Sequence, residues 1–119
     1  MKSLNKIFFV SLFSILATAT FAQSQKDTTM IVNGVCGMCQ DVIETTAQKV
    51  PGVSAASWDV KSKVFSVSYD PEQTSLQAIS DSINVSGYDT EYNTATDEAY
   101  YSLHKCCYYR DPKVVEDHK

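Results

Sequence analysis

Between residues 28 and 94 the apolar residues change their period repeatedly, and the order of those changes leaves few folds open. Thr28 to Asn33 reads as a strand and Gly34 to Met38 as a loop. A helix follows from Cys39 to Val50, with Val42, Ile43, Thr46, Ala47 and Val50 at spacings of three and four. Pro51-Gly52 stops it. Val53 to Val60 predicts a second strand with Ala56, Trp58 and Val60 on one face. After Lys61-Ser62-Lys63, Val64 to Tyr69 alternates cleanly through Phe65, Val67 and Tyr69. Asp70-Pro71-Glu72 ends that strand, and Thr74-x-x-Gln77 has the form of a capping box. The helix it opens buries Leu76, Ile79 and Ile83, Gly87 suits the position past its end, and Tyr88 to Thr94 reads as a weaker fourth strand. The order β-α-β-β-α-β predicts an α+β, ferredoxin-like fold: a four-stranded antiparallel sheet with two helices on one face. Residues 95–119 are left over as a C-terminal extension.

What precedes this pattern concerns delivery. Lys2 and Lys6 flank the start of an apolar run from Ile7 to Leu16, and Thr20-Phe21-Ala22 offers the small residues of a cleavage site. Residues 1–22 are read as a signal peptide cleaved after Ala22, with no Cys there to anchor a lipid. No later stretch approaches the roughly 20 apolar residues of a membrane span, so an exported chain without membrane insertion is expected. Residues 23–119 suffice for one small domain, assigned as 23–94 plus the extension. After residue 22 there are fourteen acidic and eight basic side chains, a formal charge of −6, which argues against nucleic acid or an anionic membrane as partner.

All four cysteines lie in that exported part, as Cys36/Cys39 and Cys106/Cys107. A bridge within either pair would close too short a loop to stabilise the fold much, or would be strained. Cys36-Gly37-Met38-Cys39 stands on a loop that opens a helix, where the helix N-terminus favours thiolate. Such a pair makes either a soft-metal site or a redox dithiol.

Residues 28–94 resemble a heavy-metal-associated domain, the fold of copper chaperones, of modules in heavy-metal ATPases and of periplasmic mercury-binding proteins. The matching features are Cys36-x-x-Cys39 between the first strand and first helix, Pro51-Gly52-Val53, Tyr69-Asp70-Pro71 and Gly87-Tyr88. The resemblance implies a thiophilic ion on Cys36 and Cys39, with Cys36 the more exposed, and Tyr88 bordering the metal loop. Tyr88 is equally consistent with a half-buried strand tyrosine whose hydroxyl is wet. The family usually reads Gly-Met-x-Cys-x-x-Cys, whereas this chain has Asn33-Gly34-Val35-Cys36 and carries Met38 inside the pair. Either Val35 or Met38 is then expected to supply the packing of the missing methionine, and a thioether ligand is the lesser role for Met38. Two thiolates on an open loop suit Cu(I), with Hg(II) and Zn(II) as alternatives. Val35 offers no hard oxygen ligand of the kind that would favour Zn(II).

The extension holds the other ligand-type residues, His104, Cys106 and Cys107. Read as a helix from Thr96 to Tyr108, with Tyr100, Leu103, His104 and Cys107 on one side, it would return over roughly 17 Å beside a fourth strand. That would bring Cys106 and Cys107 back to Cys36 and Cys39 as auxiliary ligands or redox partners. They are also readable as small packing residues or an ordinary bridge. His104 is the weaker candidate because solvated helix histidines are common, and His118 falls in a polar tail.

No catalytic constellation of Ser, His and Asp, no carboxylate pair and no phosphate loop is present, so enzymatic turnover is not expected. The function that follows is a periplasmic soft-metal carrier or scavenger, passing its ion by thiolate exchange to a metal transporter or efflux component. A monomer is expected, with a metal-bridged dimer as the alternative. The rival reading is a thiol-disulfide redox protein using the same Cys36 and Cys39. Covalent haem attachment is excluded by Gln40, which stands where His is required.

Overall fold

The computed structural model describes residues 24–119, so the expected signal peptide and its cleavage after Ala22 lie outside the described residues. Strand β1 (Lys26–Ile31) pairs antiparallel with β3 (Val64–Tyr69), whose other edge pairs antiparallel with β2 (Val53–Trp58), giving the order β1-β3-β2. The central strand is the one with the strictest alternation. Phe65, Val67 and Tyr69 are buried, and Phe65 lies opposite Met30 on one side and Trp58 on the other. Helix α1 (Gly37–Gln48) and helix α2 (Leu76–Val85) pack against each other. Cys39, Ile43 and Ala47 of α1 and Ile79 and Ile83 of α2 join Met30, Trp58 and the β3 residues in one core. The isoleucine, methionine, valine and phenylalanine side chains among them each contribute on the order of 1.5–3 kcal/mol by leaving water.

Boundaries move slightly from the sequence expectation. Helix α1 begins at Gly37, not Cys39, with Cys36 as its cap, so Cys39 becomes the first residue of the buried stripe. Helix α2 is capped by Ser75, not Thr74: its hydroxyl accepts from the Ala78 N–H at 3.1 Å. Gly87 stands at φ +111°, the conformation foreseen for it.

The expected fourth strand over Tyr88 to Thr94 is corrected to one isolated bridge, Val32 to Thr90, beside a three-stranded sheet. A side chain and a local backbone turn take over groups that a ladder would use. The Ile31 N–H donates to the Glu91 carboxylate at 2.9 Å, and the Thr90 N–H donates to the Asn93 carbonyl at 2.9 Å, which turns the chain away. Two backbone bonds still tie this segment to β1 and its extension, Asn33 N–H to Asp89 O and Glu91 N–H to Ile31 O, both 2.9 Å.

The single helix expected from Thr96 to Tyr108 is also corrected. The extension forms α3 (Asp97–Tyr101), capped by Thr96, a 3₁₀ turn over Lys105–Cys107, and α4 (Pro112–Asp117), capped by Asp111. The cause is Arg110, the chain's only arginine. It reaches Asp89 through Nε at 3.2 Å and Nη2 at 2.8 Å, the Ala95 carbonyl at 2.8 Å and Asp97 at 3.1 Å. A continuous helix would hold residues 97 and 110 about 20 Å apart at 1.5 Å per residue, so the contact to Asp97 requires the chain to fold back. Tyr109 completes the attachment, its hydroxyl donating to Gly87 O at 2.8 Å and accepting from Asp89 N–H at 2.9 Å. The fit is close enough that a Cβ on Gly87 would lie 2.8 Å from the Ala99 carbonyl. Among the described residues no helix is long and apolar enough to cross a membrane.

Candidate metal centre

The loop between β1 and α1 is set from below by tryptophan. Trp58 Nε1 donates to the Val32 carbonyl at 3.0 Å, and its ring lies where a Cβ on Gly34 would be, 2.8 Å away. Val35 is buried and fills the place expected of a loop anchor, whereas Met38 is 45% exposed. Packing as the main role of Met38 is therefore not what the structure shows. One helical turn cannot bury both Met38 and Cys39, and Cys39 takes the core side.

Cys36 caps α1 in an extended conformation and is half-buried, while Cys39 in its first turn is fully buried. Their sulfurs lie 3.5 Å apart. The extension brings Cys107, also buried, to 3.8 Å from Cys36 Sγ. Cys106 is exposed, 4.0 Å from Cys107 Sγ and 3.8 Å from the Met38 thioether. The sulfurs of Cys36, Cys106 and Cys107 all fall within 4.8 Å of one another, and all four cysteines are free thiols. The expected return of Cys106 and Cys107 thus occurs, by a folded-back path instead of a straight helix. His104 is exposed and is not part of this group, and His118 caps α4, with Nδ1 2.7 Å from Val114 O.

Burial alone would raise the Cys39 thiol, but the Val35 backbone and the neighbouring Tyr88 hydroxyl and Cys107 favour its thiolate and draw it below its ordinary value. Cys107 moves the opposite way: burial pushes it up, and negative charge on Cys39 and Cys36 adds to the push. Two neighbouring thiols held apart in this manner carry one negative charge more readily than two, until a cation joins them. Tyr88 is fully buried, so the wet hydroxyl of the alternative reading is not found. That hydroxyl makes no hydrogen bond of ordinary geometry, and after burial its strongest influences are the Cys39 and Cys107 sulfurs, which hold its ionisation well above normal.

Sequence reasoning missed the Met38–Cys106 contact and the Arg110 attachment. The one available signal was the sole arginine, three residues past a cysteine pair.

Comparison with known proteins places this geometry. The family model described as "Heavy-metal-associated domain" matches residues 29–89. The copper-exporting P-type ATPase of Bacillus subtilis strain 168 is 35% identical over 65 residues, 54% of this chain but 8% of that protein's length. The periplasmic component of the mercuric transport protein of Shewanella putrefaciens is 29% identical over 79 residues, covering 66% of this chain and 87% of its own length. A solved CopZ metallochaperone superposes with a TM-score of 0.53 at 27% identity, covering 55% of this chain and 98% of that one.

Proposed function

Because the chain belongs to the heavy-metal-associated domain family, we propose that it is an exported, periplasmic carrier or scavenger of one thiophilic ion, held by Cys36 and Cys39. The observation that carries this reading is the thiol pair 3.5 Å apart at the start of α1, one sulfur half-exposed and the other buried. The buried thiol retains the ion. The accessible one lets an incoming thiolate form its bond before an outgoing bond breaks, so the ion is never free. The helix N-terminus and the Tyr88 hydroxyl both favour negative sulfur at Cys39.

Cu(I) is the first choice of cargo. The clustered donors are all sulfur, with no carboxylate in the group among the described residues, and soft sulfur selects soft ions. Hg(II) shares that preference and Zn(II) is third. The named relatives include a copper-exporting ATPase and a mercuric transport component, which supports a membrane transporter as the partner that receives or delivers the ion. No catalytic turnover is part of this role.

Anaerobic titration of the reduced protein with Cu(I), Hg(II) and Zn(II) against a competing chelator tests it. Tight one-to-one Cu(I) binding, lost in Cys36→Ser/Cys39→Ser, is expected. A protein that binds none of the three ions above the chelator, yet reduces a disulfide substrate, is a redox protein instead.

A further inference from the structure

We propose that Cys36, Cys106 and Cys107 form a second, three-thiolate soft-metal site at the surface, built by the C-terminal extension and sharing Cys36 with the Cys36/Cys39 pair. The proposal rests on the carrier reading, since Cys36 serves both sets.

The distances fit a ligand set. With metal–sulfur bonds of about 2.3 Å, ligand sulfurs stand about 3.8 Å apart at tetrahedral angles and about 4.0 Å apart in a trigonal plane. Cys36 to Cys107 is 3.8 Å, Cys107 to Cys106 is 4.0 Å, and the third side stays within 4.8 Å. An ion can therefore enter with little backbone movement.

The extension is also held where the site needs it. Arg110, three residues past Cys107, grips Asp89, Ala95 and Asp97, and its guanidinium stacks 4.3 Å from the Tyr100 ring centre. Tyr109 is fixed at both of its hydrogen-bonding capacities. These contacts hold Cys106 and Cys107 in place.

Two further groups point to the same spot. The Tyr88 hydroxyl, fully buried and without a hydrogen bond of ordinary geometry, faces Cys39 and Cys107, and a phenol donates well to a thiolate made permanent by a metal. The Met38 thioether, exposed where methionine ordinarily packs, sits 3.8 Å from Cys106 Sγ and extends the sulfur set outward.

Sharing Cys36 gives the two sets a path between them. A Cu(I) ion bound by Cys36, Cys106 and Cys107 passes inward as its bonds to Cys106 and Cys107 break and a bond to Cys39 forms, with Cys36 attached throughout. The ion keeps its oxidation state. Cys39 releases its proton on becoming a ligand, and the departing thiolates take protons from solvent. The exposed end loads and the buried end retains.

The test separates this proposal from the carrier reading. Reduced wild-type protein, Cys39→Ala, Cys36→Ala and Cys39→Ala/Cys106→Ser/Cys107→Ser are titrated anaerobically with Cu(I) against a chelator. Cys39→Ala is expected to keep one Cu(I) with affinity within about tenfold of wild type, whereas Cys36→Ala and the triple variant lose roughly a hundredfold or more, because each lacks the three-thiolate set. Thermal unfolding followed by circular dichroism confirms that each variant is folded. X-ray absorption of the copper-loaded Cys39→Ala variant, which cannot pass the ion inward, gives an independent reading, with three sulfurs around the metal expected. If Cys39→Ala binds as poorly as Cys36→Ala, or shows two sulfurs when loaded, the second site is overturned while the carrier reading stands. A wild type that binds no Cu(I) removes both.

Discussion

Residues 26–85 and residues 88–119 keep their shapes by different means. The first region is held by periodic apolar burial: Met30, Phe65, Val67, Ile43, Ala47, Ile79 and Ile83 meet in a core that needs no particular polar contact. The second has short helices of five and six residues, which are not stable alone, and is pinned by Arg110, Tyr109 and a cluster of tyrosine rings. The first region should therefore fail through cavities and the second through lost hydrogen bonds. Phe65→Ala tests the larger effect. A fully buried phenylalanine at the centre of the sheet costs about 3–5 kcal/mol when truncated, much of the stability of a small domain. Urea unfolding should show that loss, and the extension should unfold with the domain, because Tyr100 and Cys107 share its core.

Arg110→Gln probes the other side with a smaller expected effect. The guanidinium is 27% exposed, so its charge-assisted bonds are discounted to roughly 1–2 kcal/mol. Hydrogen exchange should accelerate over residues 97–117 and stay unchanged over residues 26–85. Equal acceleration everywhere would mean that the two regions are one cooperative unit, and the contrast between them would be lost.

The same contrast explains what could be read from the sequence. Strands and helices of residues 26–85 announce themselves because burial repeats with their own period, and Phe65, Ile43 and Ile83 fall where alternation and helical spacing put them. The fourth strand failed because it depends on where single side chains send their hydrogen bonds. Glu91 and Thr90 divert the groups that a ladder requires, and nothing in a pattern of apolar residues records that. The extension failed in form but not in destination. The return of Cys106 and Cys107 to the loop was legible, yet the break after Tyr101 is imposed by Arg110 reaching residues far behind it in the chain. At the site, Cys36 and Cys39 were legible from spacing and context. Met38 was misjudged because its usual burial is an average over many cores, and here Val35 and Cys39 had already filled this one.

Tyr88→Phe carries the smallest effect on stability and links the two regions, since Tyr88 lies between Cys39 and the stacked ring of Tyr109, 5.6 Å away. The metal-free protein buries the Tyr88 hydroxyl without a hydrogen bond of ordinary geometry, so removing it should leave stability unchanged or raise it by up to about 1 kcal/mol. The loaded protein offers that hydroxyl a thiolate to donate to, so Cu(I) affinity should fall about tenfold, the usual cost of losing a group that orients a metal ligand. The two effects have opposite signs in one variant, measured by urea unfolding without metal and by chelator competition with it. A loss of stability in the metal-free variant would show instead that the hydroxyl already bonds the Cys39 sulfur before any ion arrives. Tyr88 would then belong with the apolar architecture of the first region, and metal binding would not be what satisfies it.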